Sequence, residues 1–274
     1  MTEGKNKKTF KICVYNHMYG GNGQDLGQAF IAHYHLHFGK DPKKVLEKSN
    51  LDITDTLEMI SGSNADVFGL CEVVGEEQAE KFKAHFESLG YKSVYRDTAQ
   101  KKKSGLSIQI MLATRLKSEW QDDTKKFPRG GRPSQGGGII HVYIPEIKTH
   151  VIHCHLLNPF QVMRMVRNQL QVVALEKVIQ NIKKKEEDTK MIVMGDFNIP
   201  RHLMETLNPK LCSLKTLSNP RIPTYFNPAN KNIRFIIDGI FGYNIDPHKS
   251  GVKPGKSDHR LVWAKVKMGE ERER

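Results

Sequence analysis

The sequence predicts an α/β protein built from layers of sheets and helices. Short apolar segments rich in β-branched residues alternate with helical segments in the first and middle thirds of the chain, and that alternation is typical of α/β folds. An apolar fraction of 38% over 274 residues is enough for a sizeable core. Because no linker-like break or internal repeat interrupts the sequence, we expect a single domain over 1–274, with a core at 9–268 and flexible ends at 1–8 and 269–274.

The first third of the chain is predicted to alternate strands and helices. A β-rich run at 9–15 (TFKICVY) predicts a strand, and a helical pattern follows at about 24–38. A second helix is expected to begin at Asp52 or Thr54 and to run to about residue 60. A buried strand at 66–73 and a helix at about 76–89 come next.

The rest of the chain is predicted to consist mostly of strands around one long helix. A Gly/Pro-rich loop at 127–138 (FPRGGRPSQGGG) separates two of these strands. The remaining predicted elements are strands at 92–96, 106–114, 139–143 and 149–155, the helix at 161–184, and strands at 190–194, 235–241 and 261–267.

The charge of the chain is strongly positive and unevenly distributed. Lysine and arginine number 43 against 30 aspartates and glutamates, a net charge of +13. Residues 101–133 hold nine basic and three acidic side chains, a net +6, and residues 201–234 hold six and one, a net +5. Such an excess attracts polyanions. By itself it does not choose between nucleic acid, anionic lipid and a merely basic surface.

The four cysteines have no paired spacing, and three of them fall in apolar, strand-like segments. They are therefore expected to be buried thiols in a reducing compartment. No apolar run reaches membrane-spanning length, and the polar, basic start of the chain has no hydrophobic stretch behind it. We expect a soluble, cytoplasmic (intracellular) protein.

The segment 191–198 (MIVMGDFN) carries the strongest chemical signal. An apolar strand runs into Gly195, and Asp196 and Asn198 follow it. In a nearly extended backbone, side chains two residues apart point the same way. A carboxylate that activates water beside an amide that stabilises phosphorane oxygens suits phosphate chemistry. The alternative is an ordinary Asx turn at the end of a strand.

Two further motifs lie near the end of the chain. Asp238 interrupts an apolar strand in FIIDGIF, and a buried carboxylate is costly unless it has a partner. His259 in KSDH is the natural candidate, because a carboxylate raises the basicity of an imidazole and fixes its orientation. Its neighbour Asp258 can serve the same site through a different contact.

Other polar residues also end apolar strands. Glu72 does so in LCEV, Asn16 follows the first strand, and His153 and His155 share one face of the strand in VIHCHL. Hard oxygen ligands without clustered cysteine or histidine indicate Mg²⁺ or Mn²⁺ rather than zinc. Several apolar strands that each end in a polar residue are how a site at the rim of a sheet is assembled.

Taken together, these motifs resemble the endonuclease/exonuclease/phosphatase family. Their order and spacing match that family from residue 10 to 267, and the pair GDFN and SDH is specific. The resemblance implies a four-layer sandwich, in which two packed mixed β-sheets are flanked by helices. The matching residues are Asn16, Glu72, His155, Asp196, Asn198, Asp238 and 257–259.

The resemblance also implies the cofactor and its ligands. Glu72 would hold Mg²⁺ or Mn²⁺, and Asn16 and Asp258 would contribute to the metal or to its bound waters. The metal would neutralise charge that develops on the phosphate oxygens.

The catalytic residues implied by the resemblance are five. Asp196 would position and activate the attacking water. Asn198 and His155 would stabilise the pentacovalent phosphate, although His153 could take the place of His155. His259, supported by Asp238, would contact the scissile phosphate as an acid/base or electrostatic partner.

The sequence departs from some branches of the family. Members specialised for abasic sites usually carry Tyr and Asn near the position of HCHL, so a branch with a catalytic histidine is favoured. That branch spans deoxyribonucleases, deadenylases, sphingomyelinases and tyrosyl-DNA phosphodiesterases. The last group usually has Thr where Phe197 stands, which makes it the less favoured of the four.

The expected substrate is nucleic acid, DNA or RNA, cleaved at its phosphodiester bonds. The two basic segments fall largely in loops, where Lys101, Arg129 and Arg132 are candidate phosphate contacts and Tyr225 can stack on a base. One alternative is a phosphoesterase acting on phospholipid or inositol phosphate head groups, with no stable membrane association expected here. The other is a non-catalytic nucleic-acid-binding module of the same fold.

Overall fold

The computed structural model describes most of the chain. The predicted helix at 24–38 and three candidate substrate contacts, Lys101, Arg129 and Arg132, lie outside the described residues. The residues that the structure describes are 9–17, 53–98, 108–123, 127–128, 138–157, 162–186, 188–201, 213–219, 221–226 and 232–267.

Three α-helices lie within these residues: α1 (Thr54–Ser63), α2 (Gly75–Ser88) and α3 (Val162–Lys185). A short 3-10 helix covers Pro145–Ile147. The strands are β1 (Thr9–Asn16), β2 (Val67–Val74), β3 (Ser93–Thr98), β4 (Ile108–Thr114), β5 (Glu119–Trp120), β6 (Gly138–Ile144), β7 (Thr149–His155), β8 (Lys190–Asp196), β9 (Lys215–Thr216), β10 (Tyr225–Phe226), β11 (Arg234–Phe235), β12 (Asp238–Tyr243), β13 (Asp246–Lys253) and β14 (Leu261–Lys267).

The strands form two six-stranded mixed sheets and a small hairpin. The first sheet has the order β13-β14-β1-β2-β4-β3 and the second the order β5-β6-β7-β8-β12-β9, while β10 and β11 form a separate two-stranded sheet. Each large sheet has one parallel pair at its centre, β1 with β2 and β7 with β8, and its other pairs are antiparallel.

Three apolar clusters hold these layers together. Between the sheets, Ile12 of the first sheet packs in one cluster with Ile192 of the second. Phe82 joins α2 to the outer face of the first sheet, and Leu175 joins α3 to the outer face of the second. Full burial of such a side chain stabilises the fold by about 1.5–3 kcal/mol. The arrangement of helix, sheet, sheet and helix confirms the predicted four-layer sandwich.

The topology brings several strand ends to one edge of the sandwich. Asn16 and Cys71 are register partners near the ends of the parallel pair β1 and β2. His155 pairs with Asp196 at the ends of the parallel pair β7 and β8, and Asp196 pairs with Asp238 at the start of β12. Side chains from both sheets therefore meet at this edge.

The structure corrects two sequence predictions. The strand expected at 235–241 is divided between β11 and β12, which belong to different sheets. Strand β13 was not predicted at all. It is an edge strand, mostly exposed, and it contains Pro247 and Gly251, so it lacks the apolar alternation by which strands are identified.

The expectation of buried thiols is met within the described residues. Cys13, Cys71 and Cys154 are buried free thiols. None of the described helices combines the length and hydropathy that a membrane crossing requires.

Candidate active site

Asp196 is the central carboxylate of the pocket at this edge. Its Oδ2 accepts a hydrogen bond from Asn16 Nδ2 at 2.9 Å. The same oxygen lies 3.8 Å from His155 Nε2 and 3.9 Å from His259 Nε2. Asp196 is almost completely buried. Residues from both sheets thus converge on one oxygen atom.

His259 and Asp238 form the predicted pair. His259 Nδ1 lies 2.8 Å from Asp238 Oδ2, and both side chains are buried. Thr224 fixes the backbone next to them, because its Oγ1 accepts hydrogen bonds from the amides of Ile237 and Asp238 at 3.1 Å each. Thr224 could not be predicted from the sequence, since a lone threonine in an irregular segment carries no pattern.

Glu72 enters the pocket from the first sheet. Its Oε1 lies 3.6 Å from His155 Nε2. Glu72 has a positive φ of 62° at a register shift between β2 and β4, so a β-bulge turns its side chain toward the second sheet. His155, not His153, is the histidine of this pocket, because His153 lies deeper between the sheets, where its ring faces Gly69.

Asp258 is held beside His259 by its own loop. Asp258 Oδ1 accepts a hydrogen bond from Ser257 Oγ at 3.2 Å and lies 3.9 Å from His259 Nε2. The amide of Ser257 donates to the hydroxyl of Tyr15 at 3.3 Å, which ties the loop to β1. Sequence reasoning missed Tyr15, whose aromatic ring looks like an ordinary core residue.

Asn198 has a different backbone conformation from the one predicted. Its φ is 53°, so the backbone there is not extended. The amide of Asn198 donates to Asp196 Oδ1 at 2.8 Å in an Asx turn, and its side-chain Nδ2 donates to the carbonyl of Leu156 at 2.8 Å. One amide hydrogen of a primary amide is used by that contact, which leaves the second for another acceptor.

The electrostatics of the pocket are dominated by buried carboxyl groups. Burial, with the charge of Asp258 acting in the same direction, raises the pKa of Glu72 to about 7. Burial and the charge of Asp238 raise the pKa of Asp196. Burial also raises the pKa of Asp258. Each shift means that the ionised form lacks sufficient positive charge around it.

The two histidines differ sharply in charge. Burial, together with His259 and His153, lowers the pKa of His155 to about 3, so His155 is neutral at pH 7. Burial also acts to lower the pKa of His259, but the carboxylates of Asp238 and Asp258 outweigh it and raise this pKa well above its usual value. One imidazole is therefore a neutral hydrogen-bond donor, and the other carries a positive charge.

The donor set fits a hard divalent cation. Glu72, Asp196 and Asp258 offer carboxylate oxygens to one pocket, and Asn16 adds an amide. A different group, Asp196, Asp238 and His259, is the one among the described residues whose ligand atoms all lie within 4.8 Å of one another. That second group is a poorer cation site, because the imidazole of His259 is bound to Asp238 and positively charged.

The hairpin of β10 and β11 borders the pocket. Tyr225 forms an isolated antiparallel bridge with His259, and the centroids of their rings are 5.0 Å apart. Phe226 contacts the guanidinium groups of Arg260 and Arg234, at 4.4 Å and 5.4 Å from its ring centroid. Of the predicted substrate contacts, Tyr225 is the one that the described residues place beside the site.

Most of this chain matches one protein family. The model of the Endonuclease/Exonuclease/phosphatase family matches residues 37–259. No curated protein sequence matches the chain at a significant level.

Solved structures with the same fold include three from different proteins. An endonuclease/exonuclease/phosphatase from Beutenbergia cavernae has a TM-score of 0.67 at 13% identity, over 95% of this chain and 72% of that one. ANGEL2, a 2',3'-cyclic phosphatase, in complex with adenosine-2',3'-vanadate has a TM-score of 0.63 at 15% identity, over 96% and 97%. TDP2 from D. rerio, complexed with a single strand DNA product, has a TM-score of 0.57 at 15% identity, over 94% and 98%.

Proposed function

This chain belongs to the endonuclease/exonuclease/phosphatase family, whose members hydrolyse phosphoester bonds, and from that premise we propose that it is a Mg²⁺- or Mn²⁺-dependent phosphodiesterase that cleaves nucleic acid. One observation carries the proposal. The Asp196 carboxylate lies between a neutral histidine, His155, and a charged one, His259, in a pocket with surplus buried carboxyl groups.

The cation is assigned to Glu72, with Asn16 and Asp258 contributing to it or to its bound waters. This assignment is supported by the raised pKa values of Glu72 and Asp258, which indicate carboxylates short of a positive partner. When bound, Mg²⁺ or Mn²⁺ supplies charge that neutralises the phosphate oxygens as negative charge develops on them.

The protein side chains supply the remaining chemistry. Asp196 orients the attacking water and accepts its proton. Neutral His155 presents an Nε2–H donor to a non-bridging phosphate oxygen, and Asn198 adds its second amide hydrogen, so both stabilise the pentacovalent state. His259, held by Asp238, faces the phosphate with a positive charge and can donate a proton to the leaving oxygen.

Nucleic acid is the substrate class that the surroundings of the site favour. Tyr225 is a half-buried aromatic ring beside His259, stacked on Phe235, and bases stack on aromatic rings with little sequence preference. The basic segments at 101–133 and 201–234 supply candidate phosphate contacts. Two similar structures were solved with nucleotide-like ligands, a single strand DNA product and adenosine-2',3'-vanadate.

A cleavage screen tests the proposal. Purified protein is incubated with single- and double-stranded DNA and RNA in Mg²⁺, in Mn²⁺ and after chelation, with Asp196→Ala as the matched variant. We expect metal-dependent cleavage of at least one nucleic acid and a loss of about 10²–10⁴-fold in rate for the variant, the usual contribution of a positioned base.

Two outcomes would contradict the proposal. Release of phosphocholine or inositol phosphate from vesicles, without any nuclease activity, would assign the site to lipid head groups. Binding of nucleic acid with no cleavage of nucleic acid, lipid or nucleotide phosphoester in either metal would indicate a non-catalytic binding module.

A further inference from the structure

His153 is a fully buried histidine that the proposed reaction does not use. It lies on β7 two residues before His155, on the same face, and so between the two sheets. Its ring is packed so closely against β2 that a Cβ on Gly69 would come within 2.6 Å of Nδ1. A polar ring in an apolar layer costs free energy unless its polar atoms are used.

The ring contacts the backbone of the first sheet. His153 Nε2 lies 3.3 Å from the carbonyl oxygen of Leu70 and 3.7 Å from Cys71 Sγ. Burial lowers the pKa of His153 to about 4, so the ring is neutral and carries one N–H. Because a carbonyl oxygen only accepts hydrogen bonds, a hydrogen bond to Leu70 requires the tautomer with the hydrogen on Nε2.

The contacted carbonyl belongs to the start of the bulge that carries Glu72. Leu70 pairs with Met111 and Val73 pairs with Gln109, so three steps along β2 match two along β4. The extra residue gives Glu72 its φ of 62°, a conformation that is unfavourable for a residue other than glycine. Neighbouring contacts must therefore hold the bulge in place.

We propose that His153 is a positioning residue that holds this bulge across the two sheets and so keeps the Glu72 carboxylate aimed at the cation site. The inference rests on the proposed function, because it concerns the same site. His153 acts on the cation only through the Leu70 carbonyl and the bulge. Loss of its hydrogen bond should weaken cation binding, as loss of outer contacts to metal ligands typically does by about 10–100-fold.

The test compares two substitutions at one position. His153→Phe keeps a flat ring without the donor, whereas His153→Gln keeps an amide donor that can reach the Leu70 carbonyl. We expect the Mn²⁺ dissociation constant, measured by calorimetry, to rise by about 10–100-fold in His153→Phe and to stay within a few-fold of wild type in His153→Gln. Saturating Mn²⁺ should restore most of the turnover of His153→Phe.

Ile140→Ala is the matched control. Ile140 is the register partner of His153 on β6 and lies in the same inter-sheet cluster. Its truncation removes apolar contacts from that cluster and so destabilises the fold, but it leaves the His153 ring and the Leu70 carbonyl unchanged. We expect a lower melting temperature and an unchanged Mn²⁺ affinity.

Hydrogen exchange at 67–74 provides a readout that needs no cation. Exchange there should be faster in His153→Phe than in Ile140→Ala, and unaltered exchange together with wild-type Mn²⁺ affinity in His153→Phe would overturn the inference. If the wild type binds no Mn²⁺, the proposed function fails while the exchange result still decides the role of His153. Should His153→Phe not fold, Gly69→Ala, which crowds the same ring, is expected to weaken Mn²⁺ binding, and an unchanged affinity there would also overturn the inference.

Discussion

Asp196 lies between two imidazoles that differ in charge, and this difference sets the role that each histidine can take in the reaction. His155 is kept neutral by burial and His259 is kept charged by its carboxylate neighbours. A neutral donor and a cation on either side of one carboxylate suit a reaction in which negative charge builds on a phosphate. This difference in charge between the two histidines depends most directly on the carboxylate of Asp238.

Asp238→Asn should therefore remove activity while the fold survives. The amide oxygen can still accept from His259 Nδ1, but the negative charge that holds His259 protonated and oriented is lost. We expect kcat to fall by about 10²–10⁴-fold, with little change in the circular dichroism spectrum.

The matched control is Asp123→Asn. Asp123 Oδ2 lies 3.2 Å from His141 Nδ1, so it forms a second carboxylate–histidine pair, outside the pocket. This variant should leave kcat unchanged. An equal loss of activity in both variants would mean that the Asp238–His259 pair has no special role.

Among the individual site residues, those that could be predicted from the sequence are the polar residues that end or interrupt apolar strands. Asp196, Asp238 and His259 stand out because a charged or polar group interrupts an apolar run. Thr224 and Tyr15 act through single hydrogen bonds to backbone groups that are distant in the chain. Such contacts leave no local pattern, so no reading of the sequence alone could have assigned them.

Among the elements, the junction of β7 and β8 depends on a close backbone approach. Gly195 has φ +150°, and a Cβ there would lie 1.8 Å from the carbonyl oxygen of Cys154. Gly195→Ala should therefore destabilise the protein by about 3 kcal/mol or more, or move Asp196 out of register with His155.

Gly62→Ala is the control for this substitution. Gly62 lies in α1, and an added Cβ would meet only Lys253 Nζ, at 3.8 Å. We expect this variant to be as stable as wild type or more stable by about 0.5–1 kcal/mol. Urea unfolding measures both, and equal stability of the two variants would contradict the role given to Gly195.

The opposite end of β7 carries a chain of four titratable groups. His141 Nε2 lies 2.9 Å from His150 Nδ1. The other nitrogen of His141, Nδ1, lies 3.2 Å from Asp123 Oδ2, and the other nitrogen of His150, Nε2, lies 3.4 Å from Glu186 Oε2. Tyr143 packs against the ring of His150. The chain joins the sheet to the segment that follows α3.

Acid should weaken this junction. Burial and the neighbouring His141 lower the pKa of His150, so the unfolded chain binds more protons than the folded one as the pH falls below about 6.5, the ordinary histidine value. The contribution of neutral, buried His150 to the free energy of unfolding is therefore present above that pH and is lost as the pH falls below it. We expect His150→Gln to lose less unfolding free energy than wild type between pH 7.5 and 5.5 in urea titrations. An identical loss would exclude His150 as a contributor.

Elements were predictable where the apolar pattern was strong. Central strands such as β8 and helices such as α2 were identified because they bury a continuous apolar face. Strand β13 was missed because an exposed edge strand buries no such face, and the break between β11 and β12 was missed because an apolar run does not reveal a change of sheet.

In the molecule as a whole, the candidate active site and the apolar clusters that stabilise the fold lie in different places. The inter-sheet cluster and the two outer clusters lie within the layers, whereas the pocket lies at one edge. The four-layer order followed from the family resemblance rather than from the alternation of elements, which indicates only an α/β class. Packing of sheet on sheet is a long-range property that local patterns do not encode.

The net charge of +13 should act on long substrates but not on the chemical step. Each phosphate contact contributes about −0.7 to −0.9 to the slope of log affinity against log salt. If Arg129 and Arg132 each contact a phosphate, the double change Arg129→Gln with Arg132→Gln should reduce that slope by about 1.5. Cleavage of a small diester such as bis(p-nitrophenyl) phosphate should be unaffected.

The double change Lys184→Gln with Lys185→Gln separates local contacts from overall charge. It removes the same two charges, but from the end of α3, which lies near the start of β7 and therefore far from His155. A smaller change of slope is expected in this variant, because counterion release depends on contact with phosphates rather than on net charge alone. Equal slopes in the two double variants would show that the basic segment at 129–132 makes no contact with the substrate. Attraction of nucleic acid would then depend only on the overall positive charge of the protein.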